Sequence, residues 1–142
     1  MALILDASAT LAWMIARTDV GEAALADKAL HYLRSSEALI PLLWYSEVSN
    51  GILIAERHKV VSSVTSSAFL DLLNDLPIRE DSVRPSVLRD KVLSLARTYS
   101  LTAYDTVYLE LALRTGSALA TFDRQLAKAL RKAGGRIFGD RA

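Results

Sequence analysis

Four acidic residues stand where a sheet could deliver them to one place. Asp6 directly follows the apolar run Ala2-Leu3-Ile4-Leu5, and Asp123 follows Ser117 to Thr121 with only Phe122 between. If both runs are parallel strands, the two carboxylates share one edge of the sheet, the edge beyond which such sheets bind ligands. Asp105 opens a helix that is apolar almost all round, with Thr106, Glu110 and Arg114 as its polar row. Glu110 and Arg114 read as an ordinary exposed ion pair, and Asp105 stands outside their row. Glu47 lies one turn into the helix after Ala38-Leu39-Ile40, ringed by Leu43, Trp44, Tyr45 and Val48. Carboxylates that converge repel one another, so unpaired members must take up protons. The two histidines, His31 and His58, lie far from these segments and read as surface residues, and there is no cysteine. An all-oxygen cluster suits Mg²⁺ or Mn²⁺. Such an ion lowers the pKa of a bound water and stabilises charge on a phosphoryl oxygen. The chemistry expected is metal-assisted phosphodiester hydrolysis.

Each of these residues also has a local role open to it. Asp6, Asp105 and Asp123 all fall at helix starts, where a carboxylate caps free N–H groups and meets a favourable dipole. Glu47 reads equally as a half-exposed helix residue. Ser8 and Thr121 fit turns or caps, and Asn50 fits a solvated helix face. Trp13, Trp44, Tyr45, Tyr104 and Tyr108 could stack on bases, with core or dimer packing the commoner use of such rings. Arg17 could touch a phosphate or remain a solvated charge. From Arg124 onward six basic residues face Asp140 alone. That excess could hold a nucleic-acid backbone or form a solvated face.

Positioning these groups requires alternating strands and helices. The patterns predict strands at Ala2–Leu5, Ala38–Ile40, Pro77–Arg79, Ser117–Thr121 and Arg136–Phe138. They predict helices over 7–17, 22–34, 43–57, 62–75, 86–99, 103–114 and 124–133, with Gly116 closing the sixth. The alternation implies a three-layer α/β/α fold around a mostly parallel sheet of four or five strands. A chain of 142 residues fits one domain over 1–142. A net charge of +1 gives no global field toward nucleic acid. Without cysteine there is no disulfide scaffold, thiolate zinc site or Cys nucleophile. No apolar stretch approaches the roughly 20 residues that span a bilayer. Asp6 interrupts the start too early for a signal-peptide core. A soluble cytoplasmic protein with no membrane contact is expected.

Four segments together carry a family resemblance. They are Leu5-Asp6-Ala7-Ser8, Glu47-Val48-Ser49-Asn50-Gly51-Ile52-Leu53, Tyr104-Asp105-Thr106-Val107-Tyr108-Leu109-Glu110-Leu111-Ala112 and Leu119-Ala120-Thr121-Phe122-Asp123-Arg124-Gln125-Leu126. In this order and at these separations, the chain resembles the PIN-domain family from Leu3 to about Phe138, and within it the VapC-type ribonuclease toxins of toxin–antitoxin pairs. The resemblance implies that Asp6, Glu47, Asp105 and Asp123 are catalytic metal ligands. It implies that Ser8 supports the first Asp, that Thr121 is the hydroxyl before the last, and that Asn50 is a polar residue one turn beyond Glu47. It further implies Mg²⁺- or Mn²⁺-dependent endoribonuclease activity, an inhibitory antitoxin partner and a homodimer. Gly51 departs from the pattern, which has a larger residue there, and this bears on local packing.

Other readings remain open at this point. An RNA-processing nuclease outside a toxin–antitoxin pair, or a non-catalytic module, would share the fold. Haloacid-dehalogenase-like phosphatases begin Asp-x-Asp, but Ser8 occupies the second position here. Phosphorylated receivers need an acidic pair before the reactive Asp and a late Lys, and neither pattern is evident.

Overall fold

β1 (Leu3–Leu5) is three aliphatic residues with no polar alternation, and all three are buried. Strands read this way when apolar layers cover both faces of a sheet. The computed structural model describes residues 1–141. In it the other strands are β2 (Ala38–Ile40), β3 (Ile78–Glu80), β4 (Ala118–Ala120) and β5 (Arg136–Ile137). All pairings are parallel, and the five strands run in the order β3-β2-β1-β4-β5. The helices are α1 (Ala7–Leu11), α2 (Val20–Tyr32), α3 (Leu43–Arg57), α4 (Ser63–Asp75), α5 (Pro85–Tyr99), α6 (Ala103–Thr115) and α7 (Arg124–Lys132). They flank the sheet to give a three-layer α/β/α fold. Among the described residues, no helix is long and apolar enough to cross a membrane.

Register decides what meets at the carboxyl edge. Leu5 pairs with Ala120 across β1 and β4, so Asp6 and Thr121 leave the sheet side by side. The Asp6 amide continues the ladder by donating to the Ala120 carbonyl at 3.2 Å. Ala118 pairs with Leu3 on the same register, which leaves no slack for a slip.

α1 is shorter than the helix expected over 7–17. It ends at Leu11, and two further turns follow through Trp13 and Met14. The Trp13 indole donates to the Ala26 carbonyl of α2 at 2.9 Å, which pins the chain as it turns toward α2. Asp19 then caps α2, accepting from the Glu22 amide at 2.9 Å, so that helix starts two residues before the predicted Glu22. Gly51 has a packing reason: a Cβ there would come within 2.3 Å of Leu11 Cδ1, so its absence lets α3 lie close on α1. Gly116 ends α6 with φ +65°, the left-handed region where glycine carries no Cβ penalty.

Of the pair expected to be exposed on α6, Arg114 is exposed and Glu110 is buried. Glu110 is 2% exposed, and Arg114 Nε donates to its Oε1 at 2.7 Å. Arg114 also reaches Asp81, just past β3, through Nη2 and Oδ2 at 2.6 Å. α5 packs along α6 and covers this flank, a tertiary contact that i,i+4 spacing cannot announce. The guanidinium therefore joins α6 to the end of β3 and neutralises a desolvated carboxylate. Removing the guanidinium strands the buried Glu110 charge. Arg114→Ala is expected to destabilise by about 1–3 kcal/mol in urea unfolding. The double variant Arg114→Ala, Glu110→Leu should recover much of that loss. Equal stability of Arg114→Ala and the parent would contradict this assignment.

Candidate active site

Asp6 is 6% exposed, yet every donor around it is accounted for. It caps α1: Oδ1 accepts from the Ala9 amide at 2.9 Å and from Ser8 Oγ at 2.7 Å. Thr121 Oγ1 donates to Oδ2 from the end of β4. These bonds favour the charged form, but burial outweighs them, and the nearby Glu47 charge adds to it. The carboxyl is pushed up to about 6. Ser8 Oγ also accepts from the Phe122 amide at 3.1 Å, and Thr121 Oγ1 accepts from the Asp123 amide at 3.0 Å. The two hydroxyls thus tie the ends of β1 and β4 into one polar knot.

The other acids come from three helix starts. Glu47 lies in the second turn of α3, half-buried, and its Oε1 accepts from the Tyr108 hydroxyl of α6 at 2.6 Å. Three residues earlier on α3, the Trp44 indole donates to Thr10 Oγ1 at 3.0 Å. Thr10 Oγ1 in turn donates to the Asp6 carbonyl at 2.8 Å, so α3 is referenced directly to the Asp6 backbone. Asp105 lies in the first turn of α6, whose cap is Thr102; Thr102 Oγ1 accepts the Asp105 amide at 3.1 Å. Burial, then the Asp123 charge and the Glu47 charge, raise the Asp105 carboxyl above its ordinary value, against the Thr102 hydroxyl. Asp123 caps α7, accepting from the Leu126 amide through Oδ1 at 2.9 Å.

Capping and a site role are therefore compatible. Asp6 and Asp123 each spend one oxygen on a helix start, and Asp105 is not the cap of its own helix. The mutual repulsions run Asp6 to Glu47, Glu47 to Asp105 and Asp105 to Asp123, which links all four acids in one field. Among the described residues, no Lys or Arg forms a salt bridge with any of them.

The remaining sequence candidates divide. Ser8 and Thr121 both bond Asp6. Asn50 is exposed on α3, a turn beyond Glu47. Trp44 and Tyr108 are buried and cannot stack on bases, whereas Tyr45 and Tyr104 are exposed. The Arg17 guanidinium lies 4.7 Å from the centroid of the Phe122 ring, next to Asp123, and pairs with Glu22. Thr10 belongs to the site without having been singled out, and Tyr108, read only as a base-stacking or core ring, belongs to it through its hydroxyl. Tyr108 is three residues after Asp105, the spacing that puts two side chains on one helix face, and that was the available signal.

As they lie, no three acid, histidine or cysteine side chains among the described residues group closely enough to hold a metal ion. Holding one would need the less constrained carboxylates to turn inward. The donor chemistry fits a hard divalent cation: four carboxylates, no imidazole or thiolate, and a negative field without an ion-paired side chain.

A search of the curated proteins gives no match. Among solved structures, the crystal structure of PAE2754 from Pyrobaculum aerophilum is similar in fold, with a TM-score of 0.67 at 26% sequence identity. The likeness covers 91% of this chain and 79% of that one. The PIN domain family model matches residues 3–132, a span that holds β1 to β4, every helix and all four acids. On that match the chain belongs to the PIN domain family, a family of nuclease fold.

Proposed function

We propose that this chain is a Mg²⁺- or Mn²⁺-dependent endoribonuclease of the VapC type, acting as the toxin of a toxin–antitoxin pair. The observation that carries the reading is the shared field of Asp6, Glu47, Asp105 and Asp123 at the carboxyl edge of a nuclease fold. Asp6, Glu47, Asp105 and Asp123 hold the ion, and 1–142 act as one domain. When bound, the ion supplies charge for the phosphoryl oxygens and lowers the pKa of the attacking water. Asp6 is the fixed member, its position set by Ser8, Ala9 and Thr121. Ser8 and Thr121 orient it, and Asn50 is available toward solvent for the substrate backbone. Hydrolysis forms one bond from water oxygen to phosphorus, breaks one P–O ester bond, and passes a proton to the leaving oxygen. The raised carboxyls of Asp6 and Asp105 hold protons nearer neutrality than ordinary carboxylates do. A small antitoxin, a homodimer and a cytoplasmic setting follow from the family likeness. Retention of all four acids favours catalysis over a non-catalytic module.

Incubation of the purified chain with single-stranded RNA and Mn²⁺ is expected to give cleavage that EDTA abolishes. Asp105→Asn should lower the rate at least about 100-fold, as loss of a ligand or its support does. Cleavage surviving both changes in a folded protein rejects the assignment. Neutralisation of growth arrest by the product of an adjacent short reading frame separates a toxin from an RNA-processing enzyme.

Without metal, the buried Asp6 should also mark the stability profile. Its carboxyl is raised from 3.8 to about 6 on folding, so the native chain holds a proton that the unfolded chain releases. Stability from this group is full below about pH 4 and falls as pH rises to about 6. Two units correspond to about 3 kcal/mol at most. In EDTA, Asp6→Asn is expected to melt several degrees higher relative to the parent at pH 7.5 than at pH 4.5. A difference that does not change with pH counts against the burial argument.

A further inference from the structure

Tyr108 is 2% exposed, and among the described residues its hydroxyl has one partner, Glu47 Oε1 at 2.6 Å. A buried phenol needs a partner for its O–H, and this one takes it from an acid 61 positions away on another helix. The ring sits on α6 three residues after Asp105, and the charges of Glu47, Asp6 and Asp105 all act on its hydroxyl. Three of the four acids thus act on this one hydroxyl.

We propose that Tyr108 is a positioning residue that fixes the Glu47 carboxylate for divalent-cation binding, a role that rests on the nuclease reading above. Glu47 is half-buried on a helix and has three side-chain torsions to settle. The carboxylates of Asp6 and Asp105 repel that of Glu47. The Tyr108 bond engages Oε1 and holds the group against that repulsion, so that a cation, when bound, would meet a carboxylate already set in place. The Trp44–Thr10–Asp6 chain sets the height of α3 relative to Asp6, and Tyr108 sets where the carboxylate at that height points. Partners that orient a ligand in this way typically carry about 10–100-fold in metal affinity.

The test is Mn²⁺ titration of Tyr108→Phe against the parent, followed by calorimetry, with the thermal midpoint of each metal-free protein as the folding check. The phenyl ring keeps the packing, and water can reach half-buried Glu47, so the variant is expected to fold with a midpoint within a few degrees of the parent. Mn²⁺ affinity should fall about 10-fold or more, and RNA cleavage should recover in part at high Mn²⁺. Tyr32→Phe, whose hydroxyl bonds the Met1 carbonyl away from the acids, should leave affinity unchanged. A crystal structure of Tyr108→Phe should show the Glu47 carboxylate moved. Unchanged affinity in Tyr108→Phe beside a parent that binds Mn²⁺ overturns the role of Tyr108 alone. A parent that neither binds Mn²⁺ nor cleaves RNA overturns the role together with the nuclease reading. Should Tyr108→Phe unfold, the Glu47 position in the parent with and without Mn²⁺ decides, and a lost Tyr108–Glu47 bond in the Mn²⁺ form overturns the proposal.

Discussion

Burying the Asp6 carboxylate at the end of the central strand is the constraint from which the rest of the site follows. Desolvating a charged group is costly, and hydrogen bonds to its charged form offset only part of that cost. Ser8, Ala9 and Thr121 supply those bonds, and the carboxyl still rises to about 6. Each donor depends on a larger element. Ala9 requires the tight start of α1, Ser8 requires the β1–α1 turn, and Thr121 requires the Leu5–Ala120 register. A fold that keeps an anion in this setting gains from a cation nearby, and the described residues offer no side-chain cation in contact with it.

The same economy governs the other acids. Glu47, Asp105 and Asp123 come from three helices that converge on the strand ends, and their charges act on one another. Such a cluster holds its shape only if neutral donors stiffen it. Here those donors are a threonine, an indole and a phenol, none of which titrates at neutral pH. Two arginines are engaged elsewhere: Arg114 pairs with buried Glu110 and with Asp81, and Arg17 lies over Phe122 and pairs with Glu22. Among the described residues the site acids are left without a salt bridge, while buried Glu110 has one.

Much of this could be read from the residues because strands of three apolar residues followed by Asp or Thr-x-Asp report both a parallel sheet and its functional edge. The helix periodicities and Gly116 marked the long helices within a few residues. What the spacing could not carry was tertiary. Nothing local in residues 12–19 says that the Trp13 indole will find Ala26 and turn the chain early. Glu110 and Arg114 have the spacing of a surface pair, and nothing in that spacing says that Glu110 is buried while Arg114 stays exposed and reaches Asp81. Tyr108 reads as an ordinary aromatic of an apolar helix until Glu47, far away in sequence, arrives at its hydroxyl. Gly51, where the family pattern has a larger residue, is the point where α3 approaches Leu11.

The central claim is that these acids meet around one divalent cation. Crystals grown with Mn²⁺ and measured at the manganese absorption edge test it directly. An anomalous peak among the carboxylates of Asp6, Glu47 and Asp105, at oxygen distances of about 2.0–2.4 Å, is the expected result. Well-ordered carboxylates with no peak between them at saturating Mn²⁺, or a peak only at a site remote from Asp6, contradict the account.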